Sequence, residues 1–188
     1  MSKITNILMV GVGGQGIILA SDIISLAAML DQNDVKKSEI HGMSQRGGSV
    51  FSHIRFGEKV HSPLIPHKKA DILISLEEME TLRWLQYTNT DTKIIYAKTQ
   101  IKPSADSIYP EGIETAIKKE FETVYTVHTN EIKEKTGNAK FFNVVLLGLI
   151  SNFIDIQDKP WHDALNKEVP EGTYDANLNA FNIGKDLA

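Results

Sequence analysis

The 188-residue sequence contains no cysteine. This absence excludes disulfides, thiol nucleophiles and a cysteine-ligated iron–sulfur cluster held by this chain alone. No apolar run reaches the ~20 residues that a membrane-spanning helix needs. Residues 1–3 lead directly into an apolar run, without the pattern of a signal peptide. We therefore expect a cytoplasmic protein with no membrane contact.

Basic residues are too few to dominate the surface. The chain has 20 lysines and arginines against 24 acidic residues, a formal net charge of −4, which argues against a broad nucleic-acid surface. The four histidines of the first third show no metal-ligand spacing, so we predict no metal site. They are His41, His53, His61 and His67.

Motifs of self-sufficient catalysis are also missing. The sequence has no Gly-x-Ser-x-Gly elbow, no Walker A loop and no paired-carboxylate motif, and we assign no catalytic residue. A chain with glycine-rich loops and no obvious acid, base or nucleophile suits a binding or completing subunit better than an independent enzyme.

What is present is a glycine-rich turn between an apolar run and an amphipathic run. Gly11, Gly13 and Gly16 have the G-x-G-x-x-G spacing, which predicts a strand, a tight turn and a helix. Glycine allows a positive φ and close approach of a ligand or another backbone. The helix start favours an anion such as a phosphate. The alternative is a tight turn that binds nothing.

A nicotinamide or flavin dinucleotide is one candidate ligand for this turn. In a dinucleotide-binding unit, an acidic residue near the end of the second strand holds the ribose hydroxyls. Here Glu39 lies inside that predicted strand, which ends at His41 and Gly42. This placement counts against NAD without excluding it.

A second glycine-rich stretch surrounds Arg46 in a polar loop between apolar strands. The guanidinium is a planar fork of donors for carboxylate or phosphate, and neighbouring glycines leave the backbone approachable. A solvated loop arginine is the alternative. The predicted binding residues of the two loops are Gly11, Gly13, Gly14, Gln15, Gly16, Ser44, Gln45, Arg46, Gly47 and Gly48.

The periodicity predicts one α/β domain over residues 1–188, with three layers, a mostly parallel sheet, an added β-hairpin and a helical C-terminal portion. We predict strands over 4–10, 35–40, 49–56, 71–76, 93–97 and 123–127. The hairpin is expected to turn at Gly57 and to return over residues 59–62. We predict helices over 17–30, 77–85, 112–121, 130–135 and 141–150, one starting at Pro160, and one over 173–187.

Some polar residues have ordinary structural interpretations. Ser75 is expected to cap the helix that follows it, and Glu77, Glu78 and Glu80 to form its solvated first turn. Asn143, the one polar residue in the apolar run over 141–150, is expected to bond local backbone.

Read together, the two loops resemble the gamma domain of the 2-oxoacid:ferredoxin oxidoreductases. The similar stretches are 11–16, 39–50, 62–66, 70–73 and 77–80, with Asn143, Leu147, Gly148 and 179–184. The His-Gly-Met-Ser-Gln-Arg-Gly-Gly run at 41–48 is most similar to the indolepyruvate:ferredoxin oxidoreductase beta subunit.

The resemblance implies a Rossmann-like accessory subunit of an enzyme that decarboxylates a 2-oxoacid oxidatively, forms an acyl-CoA and reduces ferredoxin. It places thiamine diphosphate and the iron–sulfur clusters on a larger partner subunit, and makes coenzyme A a candidate ligand of the glycine-rich loops. No cofactor is expected on this chain alone, and an isolated chain could form a homodimer. No aromatic pocket is apparent in the sequence, so the 2-oxoacid stays open.

Two other functions are compatible with the residues. The first is a free-standing oxidoreductase that binds NAD(P) or a flavin at residues 11–16. The second is a purely structural partner subunit whose loops bind no ligand, which would differ from an accessory subunit in whether Arg46 matters for turnover.

Overall fold

The computed structural model describes residues 4–41, 48–102 and 108–188. Within these residues, six strands form one sheet in the order β2-β3-β1-β4-β5-β6. They are β1 (Thr5–Val12), β2 (Asp34–His41), β3 (Ser49–Gly57), β4 (Ile72–Ser75), β5 (Lys93–Ala97) and β6 (Val124–Val127). Strands β1, β4, β5 and β6 are parallel, while β3 runs antiparallel to both β1 and β2. The predicted mostly parallel sheet is confirmed.

Helices cover both faces of this sheet. In the described ranges they are α1 (Ile17–Leu30), α2 (Glu78–Arg83), α3 (Ile113–Glu120), α4 (Thr129–Thr136), α5 (Phe142–Ser151), α6 (Asp158–Glu168) and α7 (Tyr174–Lys185). None of them has the length and apolar character needed to cross a bilayer.

The two faces follow from the alternation of apolar side chains along β1. Ile7 and Met9 belong to a core shared with α1 and α4–α7, whereas Leu8 and Val10 belong to a second core shared with α2 and α3. Successive strand residues point to opposite faces, so a continuous apolar run is what a doubly covered strand requires. The three-layer prediction is therefore confirmed.

The β-hairpin exists, but its predicted position at Gly57 is wrong. Strand β3 pairs with β2, which precedes it, and residues 59–62 form no strand. Side chains fix the chain after Gly57: the Val60 N–H donates to the Asp34 carboxylate at 2.8 Å, and the Arg55 guanidinium donates to the Ser62 carbonyl at 2.8 Å. These side-chain contacts hold the segment for which the alternation of apolar and polar residues predicts a second strand of the hairpin.

Helices α5 and α7 cross with their backbones in contact. A Cβ atom added to Gly148 would lie 1.8 Å from the Phe181 carbonyl oxygen, and one added to Gly184 would lie 2.0 Å from the Val145 carbonyl oxygen. The predicted burial of α5 is confirmed, since its residues from Phe142 to Ile150 are all buried. Glycine at both positions is required by this close approach.

Candidate functional site at the carboxyl ends of the parallel strands

The two glycine-rich stretches meet at one edge of the sheet. The Gly13 N–H donates to the Gly48 carbonyl at 2.9 Å, and the β1–β3 register sets Val12 opposite Ser49. The first loop therefore touches the residue that ends the second. Ser44, Gln45, Arg46 and Gly47 lie outside the described residues, and their binding role stays a prediction.

Gln15 spans the gap between the ends of β1 and β4. Its Oε1 accepts a hydrogen bond from the Val12 N–H at 2.8 Å, and its Nε2 donates to the Leu76 carbonyl at 2.6 Å. A Cβ atom at Gly11 would lie 2.7 Å from Gln15 Oε1. In open α/β sheets, ligands bind outside the strand ends where the chain order reverses, which here is between β1 and β4. The protein fills this position with its own side chain.

The space beside Gly16 is also occupied by a side chain of this protein, that of Asn143. It has a φ of 76° at the start of α1, and a Cβ atom there would lie 2.5 Å from Asn143 Nδ2. Asn143 donates from Nδ2 to the Gly16 carbonyl at 3.2 Å and accepts at Oδ1 from the Val144 N–H. The expected bond of Asn143 to local backbone is confirmed by the Val144 contact, and the same amide also joins α5 to α1.

Gly14 is unobstructed within the part of the chain that the structure describes. It is exposed and has a φ of 98°, and apart from its chain neighbours no described residue lies within 4 Å of the place where its Cβ would be. A cleft of about 150 Å³ lies beside it, with residues from the loop before α1 and from the starts of α4 and α5 in its wall. Its lining includes Gly14, Gln15, Thr99, Thr129, Lys140 and Asn143. Helix starts and an exposed lysine make this cleft favourable for an anion.

Three glutamates expected in solvent are buried. Glu77, Glu78 and Glu80 are 2%, 5% and 4% exposed, so the solvated interpretation of this turn is wrong. The predicted cap is wrong too: Glu77 caps α2 by accepting from the Glu80 N–H at 2.9 Å, whereas the Ser75 hydroxyl donates to the Glu77 carbonyl. The sheet end therefore carries a polar interior that sequence reasoning missed.

The Glu77 carboxylate is held by neutral donors. It accepts hydrogen bonds from the Tyr109 hydroxyl and, at 3.1 Å, from the Ile101 N–H. The Tyr109 hydroxyl in turn accepts from the Met79 N–H at 2.8 Å. Burial is the larger cause, and the Glu77 carboxylate the second, of a Tyr109 pKa well above its usual value. The hydroxyl therefore keeps its proton and donates it in the hydrogen bond to Glu77.

Glu78 and Glu80 bind the segments on either side. Glu78 donates its N–H to the Thr99 carbonyl and accepts from Gln100 Nε2 at 2.9 Å. Glu80 accepts from the Ser49 hydroxyl at 2.5 Å and pairs with Arg83 at 3.1 Å. These partners lie up to 31 residues away in sequence. In the sequence, the only local sign of this buried polar cluster is a group of acidic residues directly after a buried strand.

Aromatic side chains from β3 and from the segment after α2 form one cluster. Phe51 packs on Trp84 with ring centroids 4.1 Å apart, and Tyr87 contacts both Trp84 and His53. Buried His53 accepts from the Ile65 N–H at Nδ1, and burial, together with nearby Arg55, lowers its pKa. Within the described residues, no group of three or more potential ligands could hold a metal ion.

Comparison with known proteins identifies one family over nearly the whole length of the chain. The family model of pyruvate ferredoxin/flavodoxin oxidoreductase matches residues 6–187. The indolepyruvate oxidoreductase subunit IorB of Archaeoglobus fulgidus is 37% identical over 191 residues, covering 97% of this chain and 94% of the relative.

Solved structures share the fold. The gamma subunit of a keto/oxoacid ferredoxin oxidoreductase from Geobacter sulfurreducens has a TM-score of 0.74 at 21% identity, covering 98% of this chain and 96% of that one. The 2-oxoglutarate:ferredoxin oxidoreductase of Magnetococcus marinus has a TM-score of 0.75 at 20% identity, covering all of this chain and 31% of that one. The resemblance drawn from the glycine-rich stretches is confirmed, and the chain belongs to the pyruvate ferredoxin/flavodoxin oxidoreductase family.

Proposed function

We propose that this chain is the accessory small subunit of an indolepyruvate:ferredoxin oxidoreductase or a closely related enzyme. It would complete the oxidative decarboxylation of a 2-oxoacid to an acyl-CoA, with electrons passed to ferredoxin. The observation that carries the proposal is the similarity to IorB over nearly the whole of both chains. We further propose that residues 1–188 act as one domain, since both helical layers share one sheet.

A larger partner subunit would supply the redox and decarboxylation chemistry. The present chain contains no cysteine, so it offers no thiolate for an iron–sulfur cluster. In the Magnetococcus enzyme, the corresponding fold occupies 31% of a longer chain. Both observations support a division in which thiamine diphosphate and the clusters reside on the partner.

The glycine-rich edge is the proposed contact with coenzyme A or with the partner's active-site wall. Gly14 is exposed beside the cleft, and Lys140 and the starts of α4 and α5 favour an anion there. Gly11, Gln15 and Gly16 would shape the loop, because the protein's own side chains fill the space around them. Arg46 would provide the charged fork.

Two features of the sheet disfavour the dinucleotide alternative. In the dinucleotide-binding fold, the second strand lies beside the first, so that its terminal acid reaches the ribose. Here antiparallel β3 separates β2 from β1, and Glu39 on β2 pairs with Lys37 at 3.0 Å. Calorimetric titration of the isolated chain with NAD, NADP and FAD should show no tight binding. Tight binding of any of them would favour the alternative.

The decisive experiment compares Arg46→Ala and Arg46→Lys in the reconstituted complex while coenzyme A is varied. A charge-assisted bidentate contact contributes about 1.5–3 kcal/mol, so both variants should raise the KM for coenzyme A by roughly tenfold or more. Lys69→Ala is the matched control, since this exposed cation precedes β4 at the opposite edge of the sheet. Melting of the lone variants should be unchanged.

Kinetics like those of the unsubstituted chain in Arg46→Ala would rule out the contact. A large loss of melting temperature would make Arg46 a structural residue. Omitting the small chain provides the broader test, because full activity of the large subunit with coenzyme A would contradict an accessory role.

A further inference from the structure

One buried carboxylate reaches the residue that follows the second glycine-rich stretch. The Ser49 hydroxyl donates to Glu80 Oε2 at 2.5 Å, across 31 positions of sequence. Ser49 is the first residue of β3, directly after Gly48. The contact therefore joins the exit of this stretch to helix α2.

The orientation of the Glu80 carboxylate is fixed by two further groups. Trp84 Nε1 donates to the same oxygen at 3.1 Å, and the Arg83 guanidinium lies 3.1 Å from the other oxygen. The carboxylate is 5% exposed, while the arginine side chain is 55% exposed. A buried acceptor with this many partners has little freedom to turn, so it holds Ser49 in one place.

A second contact holds the neighbouring residue. The Gly48 carbonyl accepts from the Gly13 N–H at 2.9 Å, which ties the same exit to the first glycine-rich loop. Adjacent residues are thus bound to two different elements, α2 through Ser49 and the end of β1 through Gly48. Loss of either contact would allow the exit to shift relative to the other loop.

We infer that Glu80 and Ser49 are positioning residues that set the exit of the second glycine-rich stretch against the first loop. The functional consequence rests on the proposed role of that stretch in binding coenzyme A. Neither residue touches the ligand in this scheme; each acts through the placement of Gly48.

The kinetic test uses Ser49→Ala, Ser49→Thr and Glu80→Gln in the reconstituted complex. Ser49→Ala removes one hydrogen bond while Glu80 keeps its other partners, so the KM for coenzyme A should rise about three- to tenfold, with kcat within roughly twofold. Ser49→Thr retains the hydroxyl and should restore the KM. Glu80→Gln should act in the same direction, because an amide replaces one acceptor oxygen with a donor.

Ser25→Ala is the matched control. It removes a partly buried serine hydroxyl that donates to the Ser21 carbonyl at 2.7 Å within α1, outside the contacts of Ser49 and Glu80, so its KM should equal that of the unsubstituted chain. Thermal melting of each lone chain accompanies the kinetics. A purely stabilising contact would lower the melting temperature without separating KM from kcat.

Amide hydrogen exchange at Gly13, measured by NMR on the full isolated chain, provides a readout that needs no enzyme activity. The Gly48 carbonyl protects this N–H, so Ser49→Ala should accelerate its exchange while the amides of β5 remain unchanged. Unchanged Gly13 exchange would overturn the inference, whatever the kinetics.

Comparison with Arg46→Ala separates the two proposals. An unaltered KM in Ser49→Ala, together with an impaired Arg46→Ala, overturns the positioning role and leaves the coenzyme A contact intact. Faster Gly13 exchange in Ser49→Ala, with unaltered kinetics in both variants, supports the positioning role and overturns the coenzyme A contact.

Discussion

The crossing of α5 and α7 and the carboxyl edge of the sheet hold the same fold by opposite means. At the crossing, the backbones of Gly148 and Gly184 lie so close that a Cβ atom added to either glycine would be 3.0 Å from the Cα atom of the other. At the edge, the buried carboxylate of Glu77 is held by a tyrosine hydroxyl and backbone N–H groups. One region depends on volume, the other on hydrogen-bond partners.

This difference teaches where each region can change. Close packing penalises any added atom, whatever its chemistry, because the surrounding helices cannot move apart cheaply. A buried carboxylate instead penalises the loss of a donor, even when the shape of the side chain is kept. The edge carries the candidate site, since polar groups held in fixed positions are what binding requires, whereas the crossing serves stability.

The largest expected effect tests the volume side of the comparison. Gly148→Ala places a methyl group 1.8 Å from the Phe181 carbonyl oxygen, so the helices must separate. We expect the free energy of unfolding, measured with urea, to fall by about 3 kcal/mol or more. Asn179→Ala on the exposed side of α7 is the control and should stay within about 0.5 kcal/mol. A neutral Gly148→Ala would mean that the crossing is loose.

A smaller effect tests the polar side. Tyr109→Phe keeps the ring but removes a donor to Glu77 and an acceptor for the Met79 N–H. Unsatisfied buried groups should lower the free energy of unfolding by about 1–3 kcal/mol. The control is Tyr87→Phe, whose ring packs against Trp84 and His67 and should change stability by under about 0.5 kcal/mol. Equal losses would show that the hydrogen bonds of the Tyr109 hydroxyl contribute no extra stability.

The smallest expected effect concerns two carboxylates in ion pairs, Glu114 near the carboxyl edge of the sheet and Asp158, which pairs with Lys185 on α7. Lys118 and Lys98, 2.6 and 2.8 Å away, lower the pKa of Glu114 to about 2, whereas the pKa of Asp158 is lowered mainly by its hydrogen bond with Lys185. A lowered folded-state pKa gives stability above the unfolded value that is lost as the pH falls. For Glu114, this loss should run from pH 4.5 down to about 2.

Melting temperatures at about pH 6 and pH 3 measure this loss. Glu114→Gln should lose less on acidification than the unsubstituted chain, and Asp158→Asn should differ less, because its carboxylate is 66% exposed. A larger acid effect for Asp158 would reverse the comparison.

Much of the fold could be predicted from the sequence. The apolar runs, the glycine-rich turn and Gly137 as the end of α4 are local signals, and the structure has strands or helices at all of these places. The hairpin at Gly57 could not be placed, because alternation identifies a strand without naming its neighbour. That choice depends on contacts such as Val60 with Asp34, which join distant residues.

The sequence by itself determined the layers of this protein, its lack of cysteine chemistry and its membership of the family, since periodicity, composition and motifs are properties of order along the chain. Only the tertiary structure decided what the motif residues touch. Gln15 bonds Leu76, Asn143 bonds Gly16, and Glu80 bonds Ser49, over separations of 61, 127 and 31 residues. The burial and the hydrogen-bond partners of a side chain depend on which distant residues the fold brings next to it. The neighbouring residues in the sequence do not specify those partners.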